Sequence, residues 1–144
     1  MPDNSILKIA MDNFSDCLAS EFAEDFLQLL LRFMSVVLTF DHNFRKNIEG
    51  FRGRYQFESK DEHITVAAVF GNNSLEIKEE KITSPDITII FKDGKALMGY
   101  LLSPKPDILG SILRQEVSLD GNLNYLYKFA FMAKRLQLMT MGVI

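Results

Sequence analysis

Residues 54–92 contain four short apolar segments separated by turn signals, and this spacing predicts a β-sheet. The first and third segments alternate apolar and polar side chains, as half-buried strands do. The fourth is apolar on both faces, as in a strand that is covered on both sides. Gly71-Asn72-Asn73 predicts a hairpin turn, because glycine and asparagine tolerate positive φ. The four segments are RYQFES (54–59), HITVAAVF (63–70), SLEIKEE (74–80) and ITIIFK (87–92).

Helical patterns precede and follow these strands. Ser5 and Ser20 are candidate N-caps for two helices, the second running to about Thr39, and a short helical piece precedes Gly50. The order α-α-β-β-β-β-α-α-β-α has no internal repeat or linker, so it indicates an α+β fold in one domain, residues 1–144. The later elements are two short helices, KALMGYLLS (95–103) and DILGSILRQ (107–115), a strand, EVSLDG (116–121), and a closing helix.

The closing helix is apolar on more faces than burial against one neighbour requires. Its polar row, which should face water, is interrupted by Phe131. Several of the seven methionines lie in this helix and in the segments around it, and their flexible thioethers suit either core filling or the wall of a site for an apolar ligand. The two apolar rows are Tyr125, Phe129, Met132 and Leu136, and Leu126, Ala130 and Ala133; the polar row is Asn124, Lys128 and Arg135.

Charge and motif content argue against several classes of function. A net charge of −3 with no cluster of basic residues disfavours a nucleic-acid partner. Cys17 is the one cysteine, so no intrachain disulfide can form, and His42 and His63 stand in no metal-ligand spacing. Nucleotide-binding, zinc-protease and nucleophile-elbow motifs are missing from the sequence. We therefore expect a protein without catalytic activity, metal or cofactor. A small enzyme whose triad is assembled by the fold is the least favoured alternative.

Residues 27–40 (LQLLLRFMSVVLTF) raise the question of a membrane span. The stretch is only 14 residues long and includes Arg32, whereas a spanning helix needs roughly 20 predominantly apolar residues. We expect a core helix or a dimer-interface helix here, with a helix that rests on a membrane surface as the alternative. Because the N-terminus begins acidic and lacks the basic start of a signal peptide, we expect a cytoplasmic protein.

A distinctive order of features runs from residue 84 to residue 137, SPDITIIFKDGKALMGYLLSPKPDILGSILRQEVSLDGNLNYLYKFAFMAKRLQ. A polar-led apolar strand is followed by two short helices with a proline-containing break between them. A strand ending in Gly121-Asn122 then leads into a helix of small and apolar residues. With the preceding strands, these features make residues 53–137 similar to the sterol carrier protein-2 (SCP2) domain family.

The chain also departs from that family in three places. The helix break reads Ser103-Pro104-Lys105-Pro106 where the family often has Asn-Pro, and residues 1–50 form a longer and more apolar helical segment than the minimal domain needs. Peroxisomal members end in a Ser-Lys-Leu-like signal, whereas this chain ends in MGVI. This ending indicates a bacterial-type cytoplasmic protein rather than a peroxisomal one.

The resemblance implies a five-stranded, mostly antiparallel sheet with helices packed on it, enclosing an apolar tunnel and preceded here by a helical N-terminal extension. Family members bind sterols, fatty acids, acyl-CoA or other lipids and have no catalytic residues. We therefore predict a non-catalytic lipid-binding or lipid-carrier protein that holds a sterol, fatty acyl or prenyl lipid in an internal cavity. The predicted cavity residues are Met98, Leu101, Leu102, Ile112, Leu126, Phe129, Met132 and Leu136.

Two alternatives stay open at this point. One is an accessory lipid-binding factor for isoprenoid quinone biosynthesis, and the other is an interaction or dimerisation module with a vestigial cavity. In either case residues 22–40 are the predicted contact for a homodimer or a partner enzyme.

A transient membrane contact is also predicted. Phe131 is either a solitary exposed side chain or part of a mouth through which lipid passes. The mouth would comprise Phe131, Tyr127 and Leu138, with Lys128, Lys134 and Arg135 beside it to meet anionic headgroups.

Overall fold

The N-terminal segment is one long helix rather than two. The computed structural model describes the backbone of residues 4–102 and 108–140 and the side chains of residues 21–101 and 110–139. Helix α1 runs from Asn4 to Phe40 without interruption, so the predicted break with Ser20 as a second N-cap is wrong. The sequence around residue 20 contains neither glycine nor proline, and a serine inside a helix costs only about half a kcal/mol relative to alanine.

A short turn of helix leads from α1 into the sheet. Asp41 caps α2 (His42–Arg45), because its Oδ1 accepts a hydrogen bond of 3.0 Å from the backbone N–H of Phe44. A single 3₁₀ turn, Lys46–Ile48, follows and brings the chain to the first strand. These elements confirm the short helical piece that the sequence predicts before Gly50.

The sheet has five strands in the order β3-β2-β1-β4-β5. The β1–β4 pair is parallel and the other three pairs are antiparallel, which confirms the predicted five-stranded, mostly antiparallel sheet. Asn72 and Asn73 have φ of 53° and 59°, so the predicted hairpin turn is present between β2 and β3. The strands are β1 (Gly53–Ser59), β2 (Thr65–Gly71), β3 (Ser74–Lys78), β4 (Ile87–Phe91) and β5 (Val117–Gly121).

The parallel β1–β4 pair requires the chain to return across the outer face of the sheet, and residues 79–86 make this crossing. Gln56 on β1 is buried beneath the crossing segment. Its Oε1 accepts a hydrogen bond of 2.8 Å from the Ile82 N–H, and its Nε2 donates to the Val66 carbonyl at 3.2 Å. The Arg54 guanidinium donates two hydrogen bonds to the Thr83 carbonyl, at 2.9 and 3.1 Å.

Three further helices complete the fold, as predicted: α3 (Gly94–Leu102), α4 (Ile108–Leu113) and α5 (Leu123–Thr140). Asp93 caps α3 through a 2.9 Å hydrogen bond that its Oδ1 accepts from the Ala96 N–H. Gly121 has a φ of 128°, and a Cβ at this position would lie 2.3 Å from the Asp86 carbonyl oxygen. The turn into α5 therefore requires glycine. The Pro104 break between α3 and α4 lies outside the described residues.

The hydrophobic core lies between the inner face of the sheet and the helices. Helix α1 is tied to β2 and β3: Glu24 Oε2 accepts a 3.1 Å hydrogen bond from the Thr65 N–H, and the Ser35 hydroxyl donates to the Leu75 carbonyl at 3.4 Å. Within the described ranges, no helix is long and apolar enough to cross a membrane. The sheet supplies the core residues Tyr55, Phe57, Val66, Ala68, Phe70, Leu75, Ile87, Ile89, Phe91 and Val117.

Candidate functional site

One face of α5 packs against the inner face of the sheet. Leu126, Phe129, Met132 and Leu136 are each at most 1% exposed. The Phe129 ring lies 5.7 Å from the ring of Tyr55 and 5.2 Å from that of Phe57, measured between centroids. Four of the eight predicted cavity residues therefore belong to the apolar layer between this helix and the sheet.

The other four predicted cavity residues come from α3 and α4. Met98 and Leu101 are partly buried and pack against the hydrophobic core, where α3 contacts α1 and β4. Ile112 lies at the surface and is 37% exposed. The side chain of Leu102 is outside the described residues.

Tyr55 places a polar group in the middle of this apolar layer. Its hydroxyl donates a 2.7 Å hydrogen bond to the backbone carbonyl of Tyr125 on α5, so the sheet and the helix are joined by a buried polar contact. Burial, with smaller contributions from the nearby Tyr125 and Asp86, raises the pKa of the Tyr55 phenol far above its ordinary value. The sequence shows Tyr55 only as an apolar strand position and gives no sign of this contact.

A second tyrosine, Tyr100, is partly buried against the core. Tyr100 on α3 lies 5.9 Å from Phe91 of β4, ring centroid to ring centroid. Burial raises the pKa of Tyr100 to about 12. Burial therefore keeps both phenols protonated to a higher pH than in the unfolded chain.

Two of the grooves on the surface of the described part of the chain are large, and none of the eight predicted residues lines either of them. The first, of about 460 Å³, lies where the ends of α1 and α5 meet. The second, of about 420 Å³, lies where β1 begins. The first groove is lined by Val36, Val37, Phe40, Asp41, His42, Asn43 and Met139. The second is lined by Arg52, Gly53, Arg54, Val69, Phe70, Gly71, Asn72, Ser74, Glu76 and Asp86.

The outward face of α5 carries the predicted mouth residues. Tyr127 is 52% and Phe131 54% exposed, whereas Leu138 is partly buried. Two of the basic side chains lie over aromatic rings: the Arg135 guanidinium carbon is 5.9 Å from the Phe131 centroid, and Lys128 Nζ is 4.6 Å from that of Phe51. This face therefore combines exposed aromatic rings with positive charge.

The described residues do not assemble a metal site. Among them, no group of three or more His, Cys, Asp or Glu side chains is placed to hold a metal ion. Cys17 lies in α1, and its side chain is outside the described set.

The chain is similar to several solved structures, although no family model matches it and no curated protein sequence matches it significantly. The UbiJ-SCP2 ubiquinone synthesis protein aligns with a TM-score of 0.56 and 18% identity, over 84% of this chain and 93% of that one. The sterol carrier protein domain 2 of Helicoverpa armigera aligns with a TM-score of 0.52 and 12% identity, over 76% and 85% of the two chains.

A much larger protein also contains a similar unit. The inverting sec-alkylsulfatase Pisa1 from Pseudomonas sp. aligns with a TM-score of 0.50 and 18% identity over 62% of this chain, which spans only 13% of the alkylsulfatase. Sequence identities this low establish the fold alone. The order of strands and helices and these alignments agree, and the chain has the SCP2-like fold.

Proposed function

We propose that the protein is a non-catalytic lipid-binding or lipid-carrier protein, and that it holds its ligand between the inner face of the sheet and helices α3 to α5. The observation that carries this proposal is the apolar core between the sheet and the helices, which contains the buried row of α5 and the aromatic strand residues opposite it, with Met98 and Leu101 of α3 partly buried against that core. Similarity to SCP2 domains supports a site in this layer.

The energy available from such a site is large enough for useful affinity. Each methylene that leaves water contributes about 0.8 kcal/mol, so a chain of about ten methylenes offers roughly 8 kcal/mol before ordering costs. Because the row on α5 is packed, a ligand has to displace side chains to enter. Met98 and Met132 are suited to this, since a thioether side chain adapts to a changed neighbour at low cost.

The α4 segment is the proposed route of access. It is a helix of only six residues, Ile108–Leu113, and helices this short depend on their packing for stability. Ile112 and Leu113 are exposed on it, at 37% and 84%. A lipid that arrives at α4 would therefore first meet exposed apolar side chains.

Mass spectrometry of lipid extracted from the purified protein tests the proposal directly. We expect a copurifying sterol, fatty acyl or prenyl lipid in a fixed ratio to protein, and saturable uptake of a fluorescent fatty acid by delipidated protein. Ile112→Asp should weaken that uptake. Leu123→Asp is the matched control, because Leu123 is 41% exposed, a value close to that of Ile112, and belongs to α5 rather than α4. Protein that carries no lipid and shows no saturable uptake would contradict the proposal.

A more specific candidate is an accessory lipid-binding role in isoprenoid quinone biosynthesis, with the intermediate presented to a partner enzyme. The alignment with the UbiJ-SCP2 ubiquinone synthesis protein favours it, because it includes most of both chains. The same extraction distinguishes the two: prenylated aromatic lipid supports this role, and a general mixture of fatty acyl lipids contradicts it. A cytoplasmic location and no nucleic-acid partner belong to both versions of the proposal.

An interaction or dimerisation module with a vestigial cavity is the remaining candidate. It is favoured by the exposed apolar residues of α1, which the lipid proposal leaves unexplained.

A further inference from the structure

Helix α1 has two apolar stripes, and only one of them faces the core. The buried stripe consists of Ala23, Leu27, Leu31, Met34 and Leu38, each at most 1% exposed. A second line of large side chains runs along the outer side of the helix, and we name it the outer stripe. It consists of Phe22, Phe26, Leu29, Phe33, Val36 and Phe40.

Five of the six residues of the outer stripe are exposed to solvent. Phe22 is 63% exposed, Leu29 65% and Phe40 83%; Phe33 and Val36 are 41% and 52% exposed, and Phe26 is half-buried. Single exposed apolar side chains are normal on a protein surface. A contiguous line that contains four phenylalanines is different, since exposed apolar patches of this extent mark interaction sites.

The spacing of the outer stripe indicates what kind of surface covers it. Successive members are separated by 4, 3, 4, 3 and 4 residues, which is the spacing of the a and d positions of a coiled coil. This spacing presents a straight seam to another helix. It reads the same in both directions along the chain, so a second copy of the stripe fits it in an antiparallel arrangement.

Charge along one side of the stripe indicates a second copy of this chain. Asp25 and Arg32 lie seven residues apart, both exposed, and both precede a stripe phenylalanine by one position. Within the part of the chain that the structure describes, neither has an ion-pair partner. In an antiparallel pair related by a two-fold axis, the Asp25 of each copy can lie opposite the Arg32 of the other, because an isologous contact occurs twice.

From these observations we infer that the protein forms an antiparallel homodimer through the outer stripe of α1, with Asp25 of each copy paired to Arg32 of the other. The two-fold axis passes between residues 27 and 28. Phe22 then lies opposite Phe33 of the second copy, and Phe26 lies opposite Leu29. Because α1 begins at Asn4, the stripe residues Val36 and Phe40 lie against the N-terminal half of the other α1.

The charges decide between this register and its competitor. If each helix shifts by half a heptad, so that Phe22 lies opposite Phe40, all six stripe residues meet, but Arg32 lies beside Arg32 of the second copy. In the proposed register, two attractive Asp25–Arg32 pairs replace that repulsion. The two helices also overlap over 26 residues each (15–40), compared with 19 (22–40) in the competing register. Flanking charges of this kind set register and orientation, while the apolar seam supplies the affinity.

The oligomeric state of the full-length protein tests the inference. Sedimentation velocity over a range of protein concentrations should show a dimer, and Phe33→Asp should sediment as a monomer with an unchanged circular dichroism spectrum. Phe131→Asp is the matched control, because Phe131 is similarly exposed on α5, and it should remain a dimer. A wild-type protein that is monomeric throughout, or a Phe33→Asp variant that remains dimeric, would overturn the inference.

Charge reversal tests the register. Arg32→Asp places two carboxylates opposite each other at both symmetry-related contacts with Asp25, so the dimer dissociation constant should rise roughly tenfold at low salt. The double variant Asp25→Arg, Arg32→Asp should return it to near the wild-type value. If Arg32→Asn instead tightens the dimer, Arg32 lies beside its own copy and the proposed register is wrong. Lipid uptake should not change in these variants, so the inference and the lipid proposal can fail independently.

Discussion

Helices α1 and α5 both carry more apolar surface than one buried face needs, but they differ in how much of the second apolar row is covered. On α5 the second apolar row is covered within the fold, since Leu126 is fully buried and the small residues Ala130 and Ala133 are partly buried. On α1 the second row is made of large side chains that remain exposed. A similar broad apolar pattern therefore has two outcomes: the second row of α5 is covered within the fold, whereas most of the second row of α1 remains exposed.

The largest expected effect compares one phenylalanine from each helix. Phe129→Ala on α5 removes a fully buried ring, so it should lower the free energy of unfolding by about 3–5 kcal/mol. Phe33→Ala on α1 removes an exposed ring, and its effect on the monomer should be about 0.5 kcal/mol or less. Urea unfolding at a protein concentration low enough to keep the chain monomeric measures both.

The result also reports on how tightly the site is filled. A loss of less than about 1 kcal/mol for Phe129→Ala would mean that the ring does not fill tightly packed space. The contrast between a packed α5 and an open α1 would then be wrong.

A second prediction concerns the turn that sets the start of α5. Gly121→Ala adds a Cβ that would lie 2.3 Å from a backbone oxygen at a residue with φ of 128°. We expect a loss of at least about 1–3 kcal/mol of stability, because strain adds to the clash. Gly99→Ala is the control: a Cβ there meets nothing within 4 Å inside α3, and it should stabilise by up to about 1 kcal/mol. Thermal unfolding of the two variants gives the comparison. Equal effects would mean that the turn tolerates a side chain.

The third prediction uses the buried tyrosines. The pKa of Tyr100 is about 12 in the folded protein and near 10 in the unfolded chain, so the unfolded state loses its proton first. The stabilising contribution is fully present below pH 10 and is lost as the pH rises from 10 through 12. Stability should fall by about 1.4 kcal/mol per pH unit for each buried tyrosine in that window.

The Tyr100→Phe variant tests this pH dependence. Removing the phenol should reduce the slope of unfolding free energy against pH. Urea unfolding at intervals between about pH 9 and pH 11.5 measures the slopes. An unchanged slope in Tyr100→Phe would show that this phenol is not buried in solution.

Local pattern predicts the elements well because each strand and helix has its own hydrophobic period. The hairpin at Asn72-Asn73, the four apolar strands and the buried row of α5 all follow from side chains close together in sequence. The parallel pairing of β1 with β4 does not, since it depends on residues 79–86 crossing the sheet and on the contacts of Gln56 beneath them. The continuity of α1 through Ser20 does not follow from capping preference either, because a serine is tolerated inside a helix at a cost of only about half a kcal/mol relative to alanine.

The candidate site is predictable in part for the same reason. Periodicity shows that Phe129 and Met132 share a helix face, and the resemblance to SCP2 domains points that face at the sheet. Neither the periodicity nor the resemblance shows that the Tyr55 hydroxyl donates a hydrogen bond to α5, because that contact joins residues 70 positions apart in sequence. Nor do they separate Ile112, at the surface, from Leu126, in the core.

The smallest expected effect on stability, and the sharpest test of the outer face of α5, is Phe131→Ala. Since Phe131 is 54% exposed, its removal should change the unfolding free energy by about 0.5 kcal/mol or less.

If the Phe131 ring helps lipid to pass, with Arg135 beside it meeting anionic headgroups, lipid transfer from anionic vesicles to the Phe131→Ala variant should slow while its equilibrium lipid capacity stays the same. High salt should slow the wild type as well, because it screens the basic side chains. Phe40→Ala, an exposed phenylalanine on α1, should transfer at the wild-type rate. A Phe131→Ala variant that also keeps the wild-type rate at low salt would show that Phe131 is an ordinary surface side chain. Of the two helices, only α1 would then have a proposed role for its exposed rings, which is the dimer contact.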